Sequence, residues 1–428
     1  MAEPLAAAGN AGAAPAPELL TTADGRPLRA ALAKAQTRAR RRAFLLVVPL
    51  LAFVLLTFLV PIGYMLQRSF QHDGFSSAAP ALDAWFAANP KFDPANPPEE
   101  AFAALVDDLK RMQADRTTGI AGTRINYTVP GTVSLFKSGA RDAETLTPPF
   151  KDGLIATNPR WAEPKVWLAM ASASHNTTPE FYYVASDYKL TDNGWERGAP
   201  NERIYLYLFA KTFLVSGIIT CICLILAFPV AHLLATLPMS RASLLMILVL
   251  LPFWTSLLVR TSAWIALLQE QGVVNNMLVK IGLVADGNRL AMMYNMTGTI
   301  VAMTHVLLPF MILPLYSVMR TIPVSYTRAA RSLGATSWTT FRRVYLPQTL
   351  PWIAAGSLLV FILAVGYYIT PALVGGADGQ LISNLISFHM AKSNWSLAAA
   401  LAGMLLVAIL VLYWIYDKLI GIDRLKLG

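Results

Sequence analysis

One short stretch holds most of the residues that could do chemistry in this apolar chain. The stretch is RAARSLGATSWTTFRRVYLPQTLP, residues 328–351, with four arginines, one glycine and several serines and threonines. No Ser/His/Asp arrangement accompanies it, and the five histidines of the chain are scattered without the spacing of metal ligands. The residues therefore predict a docking or binding segment, with no metal site and no catalytic residue.

The spacing within the stretch predicts two helices joined by a turn. Ser325 or Thr327 can cap a first helix over YTRAARSL, because a hydroxyl oxygen accepts the free N–H groups of a first turn. Gly334 then permits a left-handed backbone turn, a common way for a helix to end. Thr336 or Ser337 begins a second helix. We therefore expect a helix, a bend and a helix lying across one surface of the membrane.

The two predicted helices leave different faces free. Apolar side chains recur on one face of the second helix and suit an anchor against membrane spans. They are Trp338, Phe341, Val344 and Tyr345. On the first helix, Ala329 and Ala330 form a small, flat face. Arg328 and Arg331 flank that face, and Leu333 offers an apolar contact. Such a face suits docking to a cytoplasmic partner, and an ordinary amphipathic helix at the membrane interface fits it equally well.

The whole chain has the composition of a membrane protein. Of its 428 residues, 55% are hydrophobic and 14% are charged, and the mean hydropathy is +0.48. A soluble domain carries about 25% charged residues. Six apolar stretches reach the length of about 20 residues that a spanning helix needs. They are 44–66, 212–237, 243–268, 297–319, 352–374 and 396–416. The sequence therefore predicts an all-α polytopic membrane protein with six transmembrane helices.

Basic residues predict which side of the membrane is cytoplasmic. They cluster before the first span, between the fourth and fifth spans, and after the last span. With six spans all three clusters lie on one side, which the positive-inside rule makes cytoplasmic. Both termini are then cytoplasmic. Much of the formal net charge of +10 follows from this topology, and no soluble basic domain accompanies it to indicate nucleic-acid binding.

The distances between spans predict four regions. Residues 1–42, rich in Ala and Pro, form a largely disordered cytoplasmic tail, and residues 43–68 form the first transmembrane helix. Residues 69–205 are too many for a loop and form a small α+β extracytoplasmic insert. Residues 206–428 form a five-helix core with a cytoplasmic loop at 320–351.

Local patterns predict elements inside the connections. EEAFAALVDDLKRMQADR has apolar residues at helical spacing, while FYYVASDYKL is rich in strand-forming residues. The outside loop EQGVVNNMLVKIGLVADGNRLAMMYN is long enough for a short helix. Four prolines inside the spans fit helices that bend or break near a pathway, and simple kinks explain them equally well. They are Pro229, Pro252, Pro309 and Pro314.

The 328–351 segment resembles the cytoplasmic coupling motif of ABC importer permeases. That motif begins EAAxxxG and ends, after a spacer, in a hydrophobic residue, any residue and Leu-Pro. The positions that match it in register are Ala329, Ala330, Gly334, Val344, Leu346 and Pro347. Leu333 and Ala335 flank the glycine. Arg328 stands where the family usually has glutamate, which reverses the local charge and leaves the helix shape unchanged. The resemblance favours docking over a simple interfacial helix.

Three further stretches look like the spermidine/putrescine branch of this family. They are LPFWTSLLVR (251–260), LLPFMILPLYSVMR (307–320) and LVGGADGQLISNLI (373–386). The resemblance covers residues 44–70 and 205–428 and leaves most of the insert outside. It implies the type I ABC importer permease fold, in a bacterial inner membrane, as the transport subunit of a polyamine importer.

The resemblance also implies the partners. The family works as a pair of permease subunits, homologous or identical, with ABC ATPase subunits and a periplasmic substrate-binding protein. No G-x-x-x-x-G-K-[ST] phosphate loop occurs in the sequence, so ATP is expected on the partner subunits. This chain is then not itself an enzyme and needs no cofactor of its own. Closure of the ATPases would move the 328–334 helix and rock the spans.

Few residues of the predicted spans suit a cation pathway. Arg260 is the one formal charge in the predicted span cores, where it would repel a polyamine, and snorkelling to the interface explains it equally well. Glu270, at the outer mouth of the third span, and Asp378, in the last outside turn, are better candidates for contact with a cation. Candidates for cation–π contacts are Trp254, Tyr367 and Tyr368.

Other functions remain open from the sequence. The same machine with another cargo, such as ferric iron, thiamine or a phosphonate, fits the coupling motif equally well. An ion-coupled secondary transporter usually places carboxylates or histidines at mid-membrane, and the predicted spans hold no carboxylate. A membrane-anchored enzyme or sensor would use the insert and would function without an ATPase. If the chain is an importer subunit, we expect the insert to help seat the binding protein.

Overall fold

The computed structural model describes residues 28–71, 74–174 and 177–420. Over these residues the chain is mostly helical, with one two-stranded antiparallel sheet. The chain divides into two compact units, Met1–Met65 and Leu66–Gly428. The predicted fold class, an all-α membrane protein with a small β-containing insert, is therefore confirmed.

One long apolar helix begins in the first unit. Its parts are α1 (Leu28–Val54), a π-helical turn (Leu55–Leu59) and α2 (Val60–Arg68). The run Gln36–Arg68 is long and apolar enough to cross a membrane, as predicted for the first span. The structure differs from the sequence prediction at residues 28–42, which are helical rather than disordered, because Ala, Leu, Lys and Arg are good helix formers. The rest of the predicted tail, residues 1–27, lies outside the described residues.

The insert is a bundle of short helices followed by a hairpin. Its helices are α3 (Pro80–Ala88), α4 (Glu99–Ala114), α5 (Thr118–Asn126), α6 (Thr132–Ala143), α7 (Phe150–Thr157), α8 (Pro164–Ser174) and α9 (Glu180–Ala185). Its strands are β1 (Tyr188–Thr191) and β2 (Gly194–Arg197). The predicted helix over 99–116 is confirmed as α4. Its apolar stripe is fully buried and contains Phe102, Leu105, Leu109 and Met112.

The β-prone stretch FYYVASDYKL is only partly a strand. Its first half is the helix α9, where Phe181 and Ala185 lie one turn apart and are both buried against the last membrane helix. Asp187 adopts a left-handed conformation, with φ of 62°, and separates this helix from β1. Burial of one helical face therefore outweighs the local β propensity of the aromatic residues.

The remaining helices form the membrane part of the second unit. They are α10 (Tyr205–Thr236), α11 (Met239–Trp254), α12 (Leu257–Leu268), α13 (Val273–Lys280), α14 (Met296–Met319), α15 (Val324–Ser332), α16 (Ser337–Thr340), α17 (Leu346–Gly366), α18 (Ile369–Val374), α19 (Ile382–Ala391) and α20 (Trp395–Ile420). The helix α13 confirms the short helix expected in the outside loop. The end of the spans that carries Arg320 and the 328–351 segment is called the basic end, and the opposite end is the insert end.

Five helical runs in the described residues can each cross a membrane, and a bent pair supplies a sixth. The prediction of 243–268 as one continuous span is wrong, because α11 ends at Trp254 and the following helix bends away by 100°. Pro252 cannot donate a hydrogen bond near the end of α11. The hydroxyl of Ser256 then accepts the N–H of Val259 and begins α12.

The fifth span also differs from its predicted bounds, 352–374. The helix is continuous from Ser337 and ends at Gly366, and Tyr367 is extended, with ψ of 129°. The chain then turns into α18, whose Pro371 lies near its start, where the missing N–H costs nothing. The predicted span is therefore displaced toward the basic end.

Small and flexible apolar residues fill the centre of the membrane part. Helices α10, α14 and α17 pack together there through fully buried Ala227 and Ala231, Met311, and Val360. Gly356 of α17 lies so close to α14 that an added Cβ would meet the Met311 sulfur at 3.1 Å. Close helix approach through small residues is the usual packing in membranes.

A buried carboxylate links the insert to the membrane helices. Asp187 accepts hydrogen bonds from the backbone N–H groups of Tyr205 and Leu206, each at 2.9 Å. These N–H groups begin α10 and have no partner within the helix. The carboxylate therefore caps a 32-residue helix and complements the positive end of its dipole.

A buried ion pair holds the segment just before this cap. Arg124 of α5 pairs with Glu180 at the start of α9, and each side chain is 1% exposed. Ser172 donates a hydrogen bond to the same carboxylate at 2.7 Å, and the guanidinium lies 5.0 Å from the ring centroid of Phe181. Burial lowers the pKa of Arg124, and the charge of Glu180 opposes that shift. The pair fixes α9 to the body of the insert.

Replacing Asp187 with alanine removes both hydrogen bonds to the start of α10. We expect the free energy of unfolding to fall by about 1–2 kcal/mol, the usual loss for a helix cap, and Asp187→Asn to lose less because the amide oxygen still accepts. The measurement is thermal unfolding of the detergent-solubilised chain, followed by circular dichroism. Glu144→Ala, at an exposed carboxylate, is the control. Equal stability of wild type and Asp187→Ala would contradict the capping role.

Candidate functional site

The 328–351 segment forms the predicted helix and bend at the basic end. The first helix, α15, begins earlier than predicted, at Val324, and neither Ser325 nor Thr327 caps it. Pro323 takes the cap position, where its fixed, extended backbone leads into the helix, and the hydroxyl of Thr327 donates to the carbonyl of Val324 at 2.9 Å. The prediction of a hydroxyl cap at this helix is therefore wrong.

Gly334 ends α15 with the predicted left-handed turn, at φ of 87°. The N–H of Ala335 donates to the carbonyl of Ala330 at 3.1 Å, and the N–H of Gly334 donates to that of Arg331 at 3.0 Å. This pair of bonds is a Schellman motif, which satisfies the last carbonyls of a helix. Because a Cβ strains a left-handed backbone, glycine suits this position, and the turn fixes the angle between α15 and the helix that follows it.

Two opposite faces of α15 have different surroundings. One face is exposed and combines small residues with larger apolar ones, and we call it the docking face. It consists of the exposed residues Tyr326, Ala329 and Leu333 and the half-buried Ala330. Leu333 is 89% exposed and Tyr326 51% exposed, so apolar area is left uncovered here. The other face carries Val324, Thr327 and Arg331 and lines a cavity under the helix.

The second predicted helix differs from its expected course. The helix α16 begins at Ser337 with the hydroxyl of Thr336 accepting the N–H of Thr339 at 3.2 Å, as predicted. It then continues through a π-helical turn, Phe341–Tyr345, directly into α17. The segment is therefore the start of the fifth span rather than a separate helix across the membrane surface.

The predicted apolar stripe anchors this helix only in part. Tyr345 is buried, and its hydroxyl lies 3.0 Å from Nδ1 of His232 on α10. Phe341 packs edge-on against Phe228 of α10, with ring centroids 5.9 Å apart. Trp338 stacks on Phe341 but remains 68% exposed. The remaining positions of the motif lie along the same helix: Val344 and Leu346 are half-buried and Pro347 is exposed.

Arg320 is a positioning residue. In the sequence its charge indicates only which side of the membrane is cytoplasmic. It follows α14, and one of its guanidinium nitrogens donates to the carbonyls of Ala235 at 3.2 Å and Leu237 at 3.0 Å. These carbonyls end α10 and have no partner in that helix. Arg320 therefore joins the basic ends of α10 and α14, next to α15.

Arg260, the predicted pathway charge, is engaged within the broken span. Its guanidinium donates to the carbonyls of Pro252 and Thr255, the latter at 3.1 Å. Because α11 stops inside the membrane part, its last carbonyls need donors from elsewhere, and Arg260 supplies them from α12. The structure thus assigns this charge a capping role at the break.

The other pathway candidates lie apart from any cavity described here. Trp254 is 70% exposed, Tyr368 is 43% exposed, and the side chains of Glu270 and Asp378 are exposed at the insert end. Tyr367 is half-buried beside the central core. The cavities of about 680 Å³ and 420 Å³ in the described part of the chain are lined by none of these residues. A pathway role for these residues therefore stays a prediction.

Lys211 is a charged residue of α10 that lies outside the predicted second span. The predicted second span begins at Thr212, whereas α10 begins at Tyr205 and includes the lysine. The Lys211 ammonium donates to the backbone carbonyl of Asp378 and lies 5.7 Å from the ring centroid of Tyr207. A fixed cation therefore stands beside the carboxylate predicted to attract one.

The turn that holds Asp378 is packed closely against α14. An added Cβ at Gly376 would meet the carbonyl oxygen of Tyr294 at 2.2 Å, so this position requires glycine. The hydroxyl of Thr299 donates to the carbonyl of Gly379 at 3.2 Å. The glycine-rich sequence of this turn thus reflects close backbone approach.

Comparison with known proteins identifies the family of this chain. Residues 210–420 match the family of binding-protein-dependent transport system inner membrane components. The chain is 36% identical over 216 residues to the spermidine/putrescine transport system permease protein PotB of Haemophilus influenzae, covering 50% of this chain and 75% of the relative. It is 34% identical over 222 residues to PotB of Escherichia coli, covering 51% and 80%.

Two further proteins are similar. The inner membrane ABC transporter permease protein YdcU of Escherichia coli is 33% identical over 227 residues, covering 50% of this chain and 71% of the relative. A solved structure, a bacterial alginate ABC transporter in complex with alginate pentasaccharide-bound periplasmic protein, has 21% identity and a TM-score of 0.45, covering 53% of this chain and 81% of that chain. The chain belongs to the family of binding-protein-dependent inner-membrane transport components. It is a multi-pass inner-membrane permease.

Replacing Arg260 with glutamine removes donors from the end of α11. We expect the free energy of unfolding to fall by roughly 1–3 kcal/mol, because partly buried carbonyls lose hydrogen bonds to a charged donor. Arg260→Lys should recover part of this loss. The apparent melting temperature of the purified chain in detergent measures the effect. Lys280→Gln, an exposed charge at the end of α13, serves as control, and a loss of the same size there would argue against the capping role.

Proposed function

We propose that this chain is one permease subunit of an ATP-driven importer for polyamines, of the spermidine and putrescine class. One observation carries the proposal: the docking face of α15 stands exposed at the basic end, held at a fixed angle by the Schellman turn at Gly334. The similarity to spermidine/putrescine permease proteins supports the polyamine cargo. A transporter that uses ATP hydrolysis on a separate subunit needs a rigid contact surface of this kind.

ATP is bound and hydrolysed, in this proposal, on separate ABC ATPase subunits. The sequence contains no phosphate loop, which supports this division of labour. The basic end is cytoplasmic, since the arginines of the 320–351 loop follow the positive-inside rule. A second permease subunit, homologous or identical, and a periplasmic substrate-binding protein complete the assembly. This chain itself carries no cofactor.

The docking face would seat in a groove of the ATPase. Ala329 and Ala330 allow close approach, and Leu333 and Tyr326 supply apolar area that is now exposed to water. Arg328, exposed beside them, stands where related motifs have glutamate. The groove of the partner ATPase should therefore present an acidic side chain to this arginine, because like charges across an interface disfavour association.

The charges along the spans leave cargo selection to the binding protein. Lys211 and Arg260 are cations, and no carboxylate occurs between Asp286 and Asp378 in the sequence. Such a pathway offers little attraction to a polyamine. The lack of mid-membrane carboxylates also disfavours an ion-coupled secondary transporter.

The insert, in this proposal, helps seat the binding protein outside the membrane. Its fixed attachment supports this role, because Asp187 caps α10 and Arg124 holds α9. A rigid connection transmits the position of a bound partner to the helix that follows. Deletion of 80–174 with unchanged binding of the binding protein would exclude it.

Replacing Ala329 with tryptophan fills the docking face. We expect the ATPase no longer to copurify with the affinity-tagged chain, and ATP hydrolysis stimulated by the binding protein to fall at least tenfold, since a bulky side chain prevents close approach at an interface centre. Ala285→Trp, at an exposed alanine of the insert end, is the matched control. Copurification and hydrolysis at wild-type levels in Ala329→Trp would exclude this docking face.

Reconstituted uptake tests the cargo. The full complex in proteoliposomes, with its binding protein outside and ATP inside, should accumulate labelled spermidine or putrescine and should stop when ATP is replaced by ADP. Ferric iron, thiamine and a phosphonate are the comparison cargoes. Uptake of one of these without polyamine uptake would keep the permease function and overturn the polyamine assignment.

A further inference from the structure

A cavity of about 680 Å³ lies at the basic end, behind the docking face. Its walls come from three places: the ends of α10 and α14, the inner face of α15, and the start of the fifth span. The polar and charged lining residues are His232, Thr236, Arg320, Thr327, Arg331, Ser337, Thr340 and Tyr345. The lining contains two guanidinium groups and no carboxylate.

The positive charge of this cavity has no ion-pair partner among the described residues. Among the described residues, neither Arg320 nor Arg331 forms an ion pair, and the sequence has no carboxylate between Asp286 and Asp378. Arg320 directs part of its guanidinium to backbone carbonyls, which leaves its charge uncompensated. Arg331 projects from the face of α15 that lines the cavity and is exposed. The cavity therefore favours an anion.

A buried hydroxyl in the same wall lacks a partner. Thr340 is 3% exposed, and its Oγ1 makes no hydrogen bond within the described structure. A buried polar group without a partner costs free energy unless something outside the chain satisfies it. His232 and Tyr345, by contrast, satisfy each other at 3.0 Å. Thr340 thus places an unsatisfied hydroxyl in the wall of a cavity that already carries two positive charges.

We propose that this cavity binds a phosphate group, with Arg331 and Thr340 as its ligands and Arg320 as a further positive charge. Phosphate oxygens accept hydrogen bonds from both guanidinium and hydroxyl groups, and arginine suits phosphate recognition particularly well. The cavity lies at the ends of α10 and α14, so the headgroup of an anionic phospholipid and a free phosphate are the two sources of this chemistry. The size of the cavity accommodates a phosphoglycerol headgroup.

The position of the cavity gives its occupant a consequence for coupling. Val324, Thr327 and Arg331 line the cavity, whereas Ala329 and Leu333 lie on the opposite side of the same helix. A bound phosphate therefore contacts the side of α15 opposite the docking face and leaves the docking face exposed. This regulatory consequence rests on the proposed function, but the binding site itself does not.

Binding to the full purified chain tests the site without any ATPase. The probe is dihexanoyl phosphatidylglycerol in maltoside detergent, dihexanoyl glycerol is the phosphate-free comparison, and native mass spectrometry measures the bound fraction. We expect one phosphatidylglycerol to bind, and Arg331→Gln and Thr340→Val each to weaken binding about tenfold, the usual effect of losing a charge-assisted hydrogen bond. Arg331→Lys and Thr340→Ser should retain most of it.

The controls separate this site from general attraction to basic residues. Arg241→Gln removes an exposed arginine at the same end, outside the cavity, and should bind like wild type. Displacement of the lipid by inorganic phosphate assigns the site to free phosphates as well, whereas failure to displace it assigns the site to headgroups. Binding no tighter than that of dihexanoyl glycerol overturns the proposal. So does an effect of Arg241→Gln equal to that of Arg331→Gln, or a loss confined to one of the two cavity variants.

Discussion

The satisfaction of backbone polar groups at helix ends is the constraint on which this structure depends. Inside a membrane an unpaired N–H or carbonyl group has no water to bond, so every interruption of a helix needs a donor or acceptor from elsewhere in the chain. Asp187 supplies acceptors at the start of α10, Arg320 supplies donors at its end, and Arg260 supplies donors where α11 stops. The charged residues next to the spans are thus largely structural, and they hold the helices that carry the exposed α15.

The sequence predicts most of this architecture because the signals are local. Long apolar runs mark the spans, and a glycine after a short polar helix marks the turn at Gly334, which the structure confirms. No local sequence signal predicts the break between α11 and α12 at Ser256. The break is stabilised by the hydrogen bond from Arg260 of α12 to the carbonyl of Thr255 at the end of α11. Because the residues on both sides of the break are apolar, hydropathy predicts one continuous span. The role of α9 as a helix likewise depends on burial against α20, which residue propensities do not contain.

The candidate site likewise contains residues that local spacing predicts and residues that it does not. The residues of the coupling segment follow one another in the chain, so their spacing alone places them on one helix. The six pathway candidates come from two segments, residues 254–270 and 367–378, and none of them lines either cavity. The sequence does not predict Lys211 as part of a span, because it lies one residue before the predicted start of an apolar run, where hydropathy changes gradually. A sequence shows that a charged residue lies at the edge of a span. It does not show which residue from a distant segment contacts that charge, as Asp378 contacts Lys211.

The continuity of the fifth span with α16 has a mechanical meaning. From Ser337 to Gly366 the chain is one helix of 30 residues, which corresponds to about 45 Å at the usual rise per residue. A rod of this length behaves as a lever: a small tilt imposed at Ser337 displaces Gly366 in the opposite direction. The π-helical turn at Phe341–Tyr345, where Tyr345 contacts His232 of α10, lies near one end of this rod. If this turn is the pivot in the proposed coupling, a tilt imposed at the basic end displaces the far end, next to the extended residue Tyr367, by a larger distance.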